Sequence, residues 1–265
     1  MKGYNGINID SKDLDVLTNI GQKLGFPLKY KNFFDDGEIY ISAFNIRDEK
    51  IIHLMVTDKK HIFKHFPLEI IDLDELEILF VYMSINSIPQ EIFSHKTLKV
   101  LSIDGANLVD FPKINSINRK IEFLAISNSS LRKISNSIGN LKSLKELHLN
   151  GNQLEKIPNE FNILISLETL DLVKNKINEL PNTINNLKSL TELNLAYNEL
   201  QTLPNSINSF SSLQNLILFQ NPITTLPESL LELKNLKNLD LRKTQVNNQS
   251  ELIKNLRKRR VRVLT

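Results

Sequence analysis

The chain contains no cysteine, which excludes a disulfide framework, thiolate metal sites and a cysteine nucleophile, and fits a cytoplasmic protein. Glycine is scarce, with eight in 265 residues, and no G-x-x-x-x-G-K-[ST] sequence occurs. A loop that cradles phosphate through its backbone N–H groups is therefore not expected. G-x-S-x-G and H-E-x-x-H are also missing, which removes a common hydrolase elbow and a common zinc-protease helix. No run approaches 18 apolar residues, and the opening residues MKGYNGINID hold no apolar h-region, so neither a membrane span nor a secretory signal is expected. Net charge is only +3, too weak a field to mark a nucleic-acid or membrane binder. The chain is nonetheless 41% hydrophobic, sufficient to bury a core.

What the sequence does have is a period. Proline falls at 67, 89, 112, 158, 181, 204 and 227; the last four are 23 residues apart, and Ser135 occupies the position missing between 112 and 158. Aligned on that period, the chain reads L-x-x-L-x-L-x-x-N-x-L-x-x-L-P-x-x-I-x-x-L-x-x. Leu167, Leu170, Leu172, Asn175, Ile177, Leu180, Pro181, Ile184 and Leu187 follow it, and units starting at Leu144, Leu190 and Leu213 match as well. Less regular units start at Ile51, Leu76, Leu98, Ile121 and Leu236, which makes nine. The L-x-L segment alternates with period two, the mark of a short strand with one buried face. No unit buries its apolar face alone, so neighbours must stack and pair these strands into a parallel sheet. The Asn is expected to bond backbone groups in the turn leaving each strand, forming a ladder. Replacing Asn175 by Ala should cost ~1–3 kcal/mol.

These residues resemble the 23-residue, Ras-suppressor (intracellular Ras-group-related) type of leucine-rich repeat, marked by L-P-x-x-I, over roughly residues 51–246. The resemblance implies an α/β leucine-rich-repeat solenoid. Its form would be a right-handed arc with a parallel sheet on the concave side and short helical or irregular turns on the convex side. It also implies a bacterial or archaeal source and, as partner, a small Ras-like GTPase. Residues 51–246 would form nine repeats. Residues 1–50 would form an N-terminal cap, with a helix over 10–24 capped by Asp10 and a hairpin of strands 39–46 and 50–56. Residues 247–265 would form a C-terminal cap, with a helix started by Asn248 and Glu251 and a closing strand over 261–264. Both ends then look closed, which reads as a complete, monomeric protein.

Function in such an arc resides on strand residues that point away from the core. An apolar floor is expected from Ile78, Phe80, Tyr82, Val100 and Phe123, with Met83 just beyond. A polar middle follows from Glu146, His148, Asp171 and Glu192, and an apolar return from Ile217 and Phe219. Aromatic residues in such rows suit the core of a protein interface. If residues 1–45 fold over Phe80 and Tyr82, or the register slips by one, the floor is a cap contact. The site then moves to Val173, Tyr197, Ile217 and Phe219. His61 and His65 stand four apart, a metal-ligand spacing that lacks a third ligand, so ordinary surface histidines are the expectation. The basic run Arg257, Lys258, Arg259, Arg260 and Arg262 reads as an anchor for an acidic partner or as the solvated side of a capping helix; without flanking aromatics the second is preferred. The expected function is a binding module or scaffold that holds a protein partner on the concave face, acting in signal transduction. No cofactor, metal or catalytic residue is expected; the alternatives are regulation of a small Ras-like GTPase and, third, an enzyme with an unrecognised site.

Overall fold

The computed structural model describes residues 3–4, 7–25, 27–30, 43–58 and 63–265. A hairpin of β1 (Gly3–Tyr4) and β2 (Ile7–Asn8) leads into helix α1 (Ser11–Leu24). Asp10 starts the helix by accepting a hydrogen bond from the Lys12 N–H (3.0 Å), and Gly25 ends it in the left-handed region at φ 77°, a conformation glycine adopts at no steric cost. Leu14, Leu17, Ile20 and Leu24 form the buried stripe, as their spacing requires. Asp13 is buried on the same helix and accepts from the Ile51 N–H at 2.8 Å, tying α1 to the first long strand.

The rest is one sheet of twelve strands among the described residues. It runs from β3 (Lys29–Tyr30) and β4 (Ala43–Arg47) through β5 (Lys50–Thr57), β6 (Ile78–Tyr82), β7 (Val100–Asp104) and β8 (Phe123–Ser127). It continues in three-residue strands β9 (Glu146–His148), β10 (Thr169–Asp171), β11 (Glu192–Asn194), β12 (Asn215–Ile217) and β13 (Asn238–Asp240), and closes on β14 (Arg262–Leu264). β4 and β5 pair antiparallel across the turn at Asp48-Glu49; from β5 to β14 every pairing is parallel. The expected strand over 39–46 is seen from Ala43, its first residues lying outside the described ones.

Each strand turns its leucines inward. Leu79, Leu101, Leu124, Leu147, Leu170, Leu193, Leu216 and Leu239 occupy one fully buried column, each burial stabilising by roughly 1.5–3 kcal/mol. The opposite side carries short 3₁₀ turns, such as Asn159–Ile163, Asn182–Asn186 and Asn205–Ser209. Pro158, Pro181 and Pro204 precede them in extended conformation, which suits a residue that cannot donate a backbone bond. Ser135 takes the place of proline by a different device: its side chain accepts from the Ser137 N–H at 3.2 Å.

The Asn ladder forms. Asn175 Nδ2 donates to the Leu149 and Leu172 carbonyls (2.9 and 3.0 Å), and its Oδ1 accepts from the Leu154 N–H (3.0 Å). Asn152, Asn198 and Asn221 repeat the arrangement, and all four are buried. At the C-terminus the helix is α2 (Glu251–Lys258), and its cap is Ser250, whose Oγ accepts from the Ile253 N–H. Asn248 lies too far upstream to fill that role. Within the basic run, Arg259 is structural: its guanidinium donates to the Leu231 and Leu233 carbonyls where a 3₁₀ turn ends, the second of which also accepts from the Leu236 N–H.

Candidate functional site

The face opposite the leucine column is built of three outward columns, at successive odd positions of each strand. In the first, Ile78, Val100, Phe123 and Glu146 are register partners on β6–β9, followed by Thr169 and Glu192. Phe80, Ser102, Ala125, His148, Asp171, Asn194 and Ile217 make the second. Tyr82 leads the third beside Asp104 and Ser127. The structure thus brings Ile78, Val100 and Phe123 side by side, whereas Phe80 stands in the neighbouring column between Met55 and Ser102, and Tyr82 in the next between Thr57 and Asp104. Ile78, Phe80, Tyr82, Val100 and Phe123 are half-buried rather than exposed. Met83 and Ala125 are buried, the first because it continues the inward alternation of Leu79 and Val81.

Phe123, His148, Glu146 and Asp171 form one cluster. The Phe123 and His148 rings stack with centroids 5.0 Å apart at 28°. His148 Nε2 lies 3.5 Å from Glu146, and Nδ1 lies 3.7 Å from Asp171, an ion-pair distance rather than a hydrogen bond. Asp171 and then Glu146 hold the imidazole above its ordinary value of 6.5, against the opposing pull of burial. Glu192 lies one strand further on, opposite Thr169, and does not join the cluster. Because the folded-state value is raised, His148 adds stability that is complete below pH 6.5 and is lost as pH climbs through the folded value. A proton NMR titration should place His148 above 6.5. His95, buried with Nε2 2.9 Å from the Leu73 carbonyl, is held below that value by burial and should titrate beneath it.

A fourth column, not anticipated from the sequence, stands at the end of each strand. Gly105, Asn128, Gly151, Lys174, Tyr197, Gln220 and Lys243 all take positive φ, between 47° and 70°. The N–H groups of Gly151, Lys174, Tyr197 and Gln220 donate to the Val173, Ala196, Phe219 and Arg242 carbonyls of the next turn at 2.8–3.0 Å. These inter-turn bonds hold the left-handed backbone in place whatever the side chain. Gly151 is needed in addition because a Cβ there would run into Asn128 Oδ1. A non-glycine residue in this conformation costs about 1 kcal/mol, so exposed Gln220 replaced by Gly should raise the unfolding free energy by about 1 kcal/mol. Denaturant unfolding measures it. The signal was available in the sequence as Gly, Asn and Gly at 23-residue spacing just before the ladder position.

Around Tyr197 the outward side chains converge. Tyr197, 39% exposed, meets Phe219 edge-on with ring centroids 5.0 Å apart at 70°. Lys174 Nζ lies 5.8 Å from the Tyr197 centroid. Arg242 and Lys243 lie 5.4 and 5.2 Å from that of Phe219, within cation–π range. Arg242 is also held by Asp240 through bonds of 2.7 and 3.0 Å, and Ile217 is half-buried beside Phe219. Elsewhere His65 is exposed while His61 lies outside the described residues. Among the described residues no three His, Asp or Glu side chains gather as a metal site would require, and no helix is long and apolar enough to cross a membrane.

Stacked strands, a buried Asn ladder and an outward strand face define a repeat solenoid. The family described as a leucine-rich repeat region matches residues 85–197 and 123–264, and the chain belongs to it. A leucine-rich-repeat protein of Leptospira interrogans is 30% identical, with a TM-score of 0.60 over 77% of this chain and 58% of that one. The leucine-rich-repeat domain of the type III effector XopL shares the fold at 20% identity, with a TM-score of 0.67 over 81% of this chain and 76% of that one. So does the ectodomain of the Arabidopsis thaliana receptor kinase GASSHO1/SCHENGEN3, solved in complex with Casparian strip integrity factor 2, at 23% identity and a TM-score of 0.65. That match covers 87% of this chain and 32% of the ectodomain. The chain thus spans less than two thirds of the Leptospira and Arabidopsis chains. No curated protein matches it.

Proposed function

We propose that the chain is a monomeric cytoplasmic binding module, not an enzyme, that holds a protein partner across its concave strand face. One observation carries this reading: the outward columns set apolar, aromatic and charged side chains in straight rows that remain half open. Nine strands at ~4.8 Å give a face about 40 Å long, enough for a standard ~800 Å² per partner. The apolar column of Ile78, Val100 and Phe123, the charged cluster of Glu146, His148 and Asp171, and the Ile217–Phe219 end would supply affinity and orientation in turn. Reversing Asp171 and Glu192 to Lys should weaken partner binding at least tenfold while the chain still unfolds cooperatively; unchanged binding overturns the reading. The repeat type supports a narrower second reading, a small Ras-like GTPase as the partner. Purified GTPases carrying GTP or GDP analogues bind if it holds and fail to bind if it does not.

A further inference from the structure

We propose that the ridge formed by Lys174, Tyr197, Gln220 and Lys243, with Phe219 and Arg242 beside it, is a docking strip for an extended acidic segment of a partner protein. The pattern recognised is acid–x–apolar–x–acid. This proposal rests on the concave-face reading and names the chemistry of the partner at its C-terminal half.

Three observations carry it. The left-handed column uses Gly, Asn and Gly in its first three turns and then Lys, Tyr, Gln and Lys in the last four. The favourable residues are thus abandoned over one continuous stretch, and strain retained in that way points to side chains kept for use. The stretch is also chemically distinct. Lys174 and Lys243 make no ion pair among the described residues, and only Asp240 offsets Arg242. Finally, the cations flank the Tyr197–Phe219 ring pair rather than mixing at random, which leaves a partly exposed apolar spot between positive charges.

Spacing sets the ligand. Lys174 and Lys243 lie three turns apart, about 14 Å at the strand-to-strand distance. An extended chain rises about 3.3 Å per residue and sends positions i, i+2 and i+4 to one face. Carboxylates at i and i+4 therefore reach the two lysines, and the side chain at i+2 lands on the rings. Residues Glu146 and Asp171 occupy the other columns, so a basic segment is favoured there and disfavoured on the ridge.

A random dodecapeptide library displayed on phage and selected on the whole chain tests this. The expected winners carry two acids four apart with an apolar residue midway. They bind Lys174→Glu/Lys243→Glu and Phe219→Ala at least tenfold more weakly, with cooperative unfolding retained, and copies with Lys in place of the acids bind the charge-reversed chain instead. Winners without the acid pair, or insensitive to Lys174→Glu/Lys243→Glu, overturn the proposal. Among those, peptides lost on Phe123→Ala/Asp171→Lys leave the broader concave-face reading standing. Peptides indifferent to every one of these substitutions, or no enrichment at all, overturn both.

Discussion

Replacing Asn175 by Ala lowers the unfolding free energy by ~1–3 kcal/mol, the cost of leaving a buried polar group without its partner. The carboxamide bonds three buried backbone groups from two successive turns, and a fourth, part-buried one at the Val173 carbonyl at 3.4 Å. Alanine leaves the Leu154 N–H without its acceptor, while the Leu149 and Leu172 carbonyls each lose one of two donors and keep Asn152 Nδ2 and Asn198 Nδ2 at 3.0 and 2.9 Å. The same change at Asn198 should behave alike, since its bonds repeat those of Asn175 within 0.1 Å. Chemical denaturation of the variants measures the loss, and a midpoint equal to wild type shows that the ladder contributes nothing. Because each turn contacts its neighbours, the loss is expected to spread as cooperative melting of adjoining repeats.

Replacing Leu79 by Ala costs ~2–5 kcal/mol, the range for a large core side chain cut to a methyl. Leu79 is fully buried, register partner of Leu54 on one side and Leu101 on the other. Its chain neighbours Phe80 and, two further on, Tyr82 belong to the outward columns. Changing those two to Ala should cost less stability than the single change at Leu79 while removing partner binding. The contrast reports the register directly, since a slip by one residue would exchange the two results.

The repeating units were legible because their buried residues are what the period conserves within the chain. Leu144, Leu167, Leu190 and Leu213 recur every 23 positions, and each recurrence reinforces the same strand, turn and ladder. The ends were readable where local chemistry is strong, as at Asp10 before α1, and misread where two capping residues compete: Ser250 sits next to Glu251, and Asn248 does not. The outward columns followed from strand alternation, but not which members meet. Phe80 and Phe123 lie in different columns, and the stacking of Phe123 on His148 depends on side chains crossing between columns. Positive φ at Lys174, Tyr197, Gln220 and Lys243 was hidden because none of these residue types announces it; the inter-turn hydrogen bonds impose it. Partner chemistry is written only in such side chains, which the repeat leaves free to vary.

In the proposed function a partner lies on the strand face and not on the 3₁₀ side. Site-specific photocrosslinking tests it most directly, with a photoreactive phenylalanine placed singly at Phe123, Ile217 or Phe219 on one face and at Ile163 or Asn186 on the other. One partner is expected to crosslink from Phe123, Ile217 and Phe219 and from neither position of the opposite face. Crosslinking of that partner from Ile163 and Asn186, with none from the strand face, would contradict it.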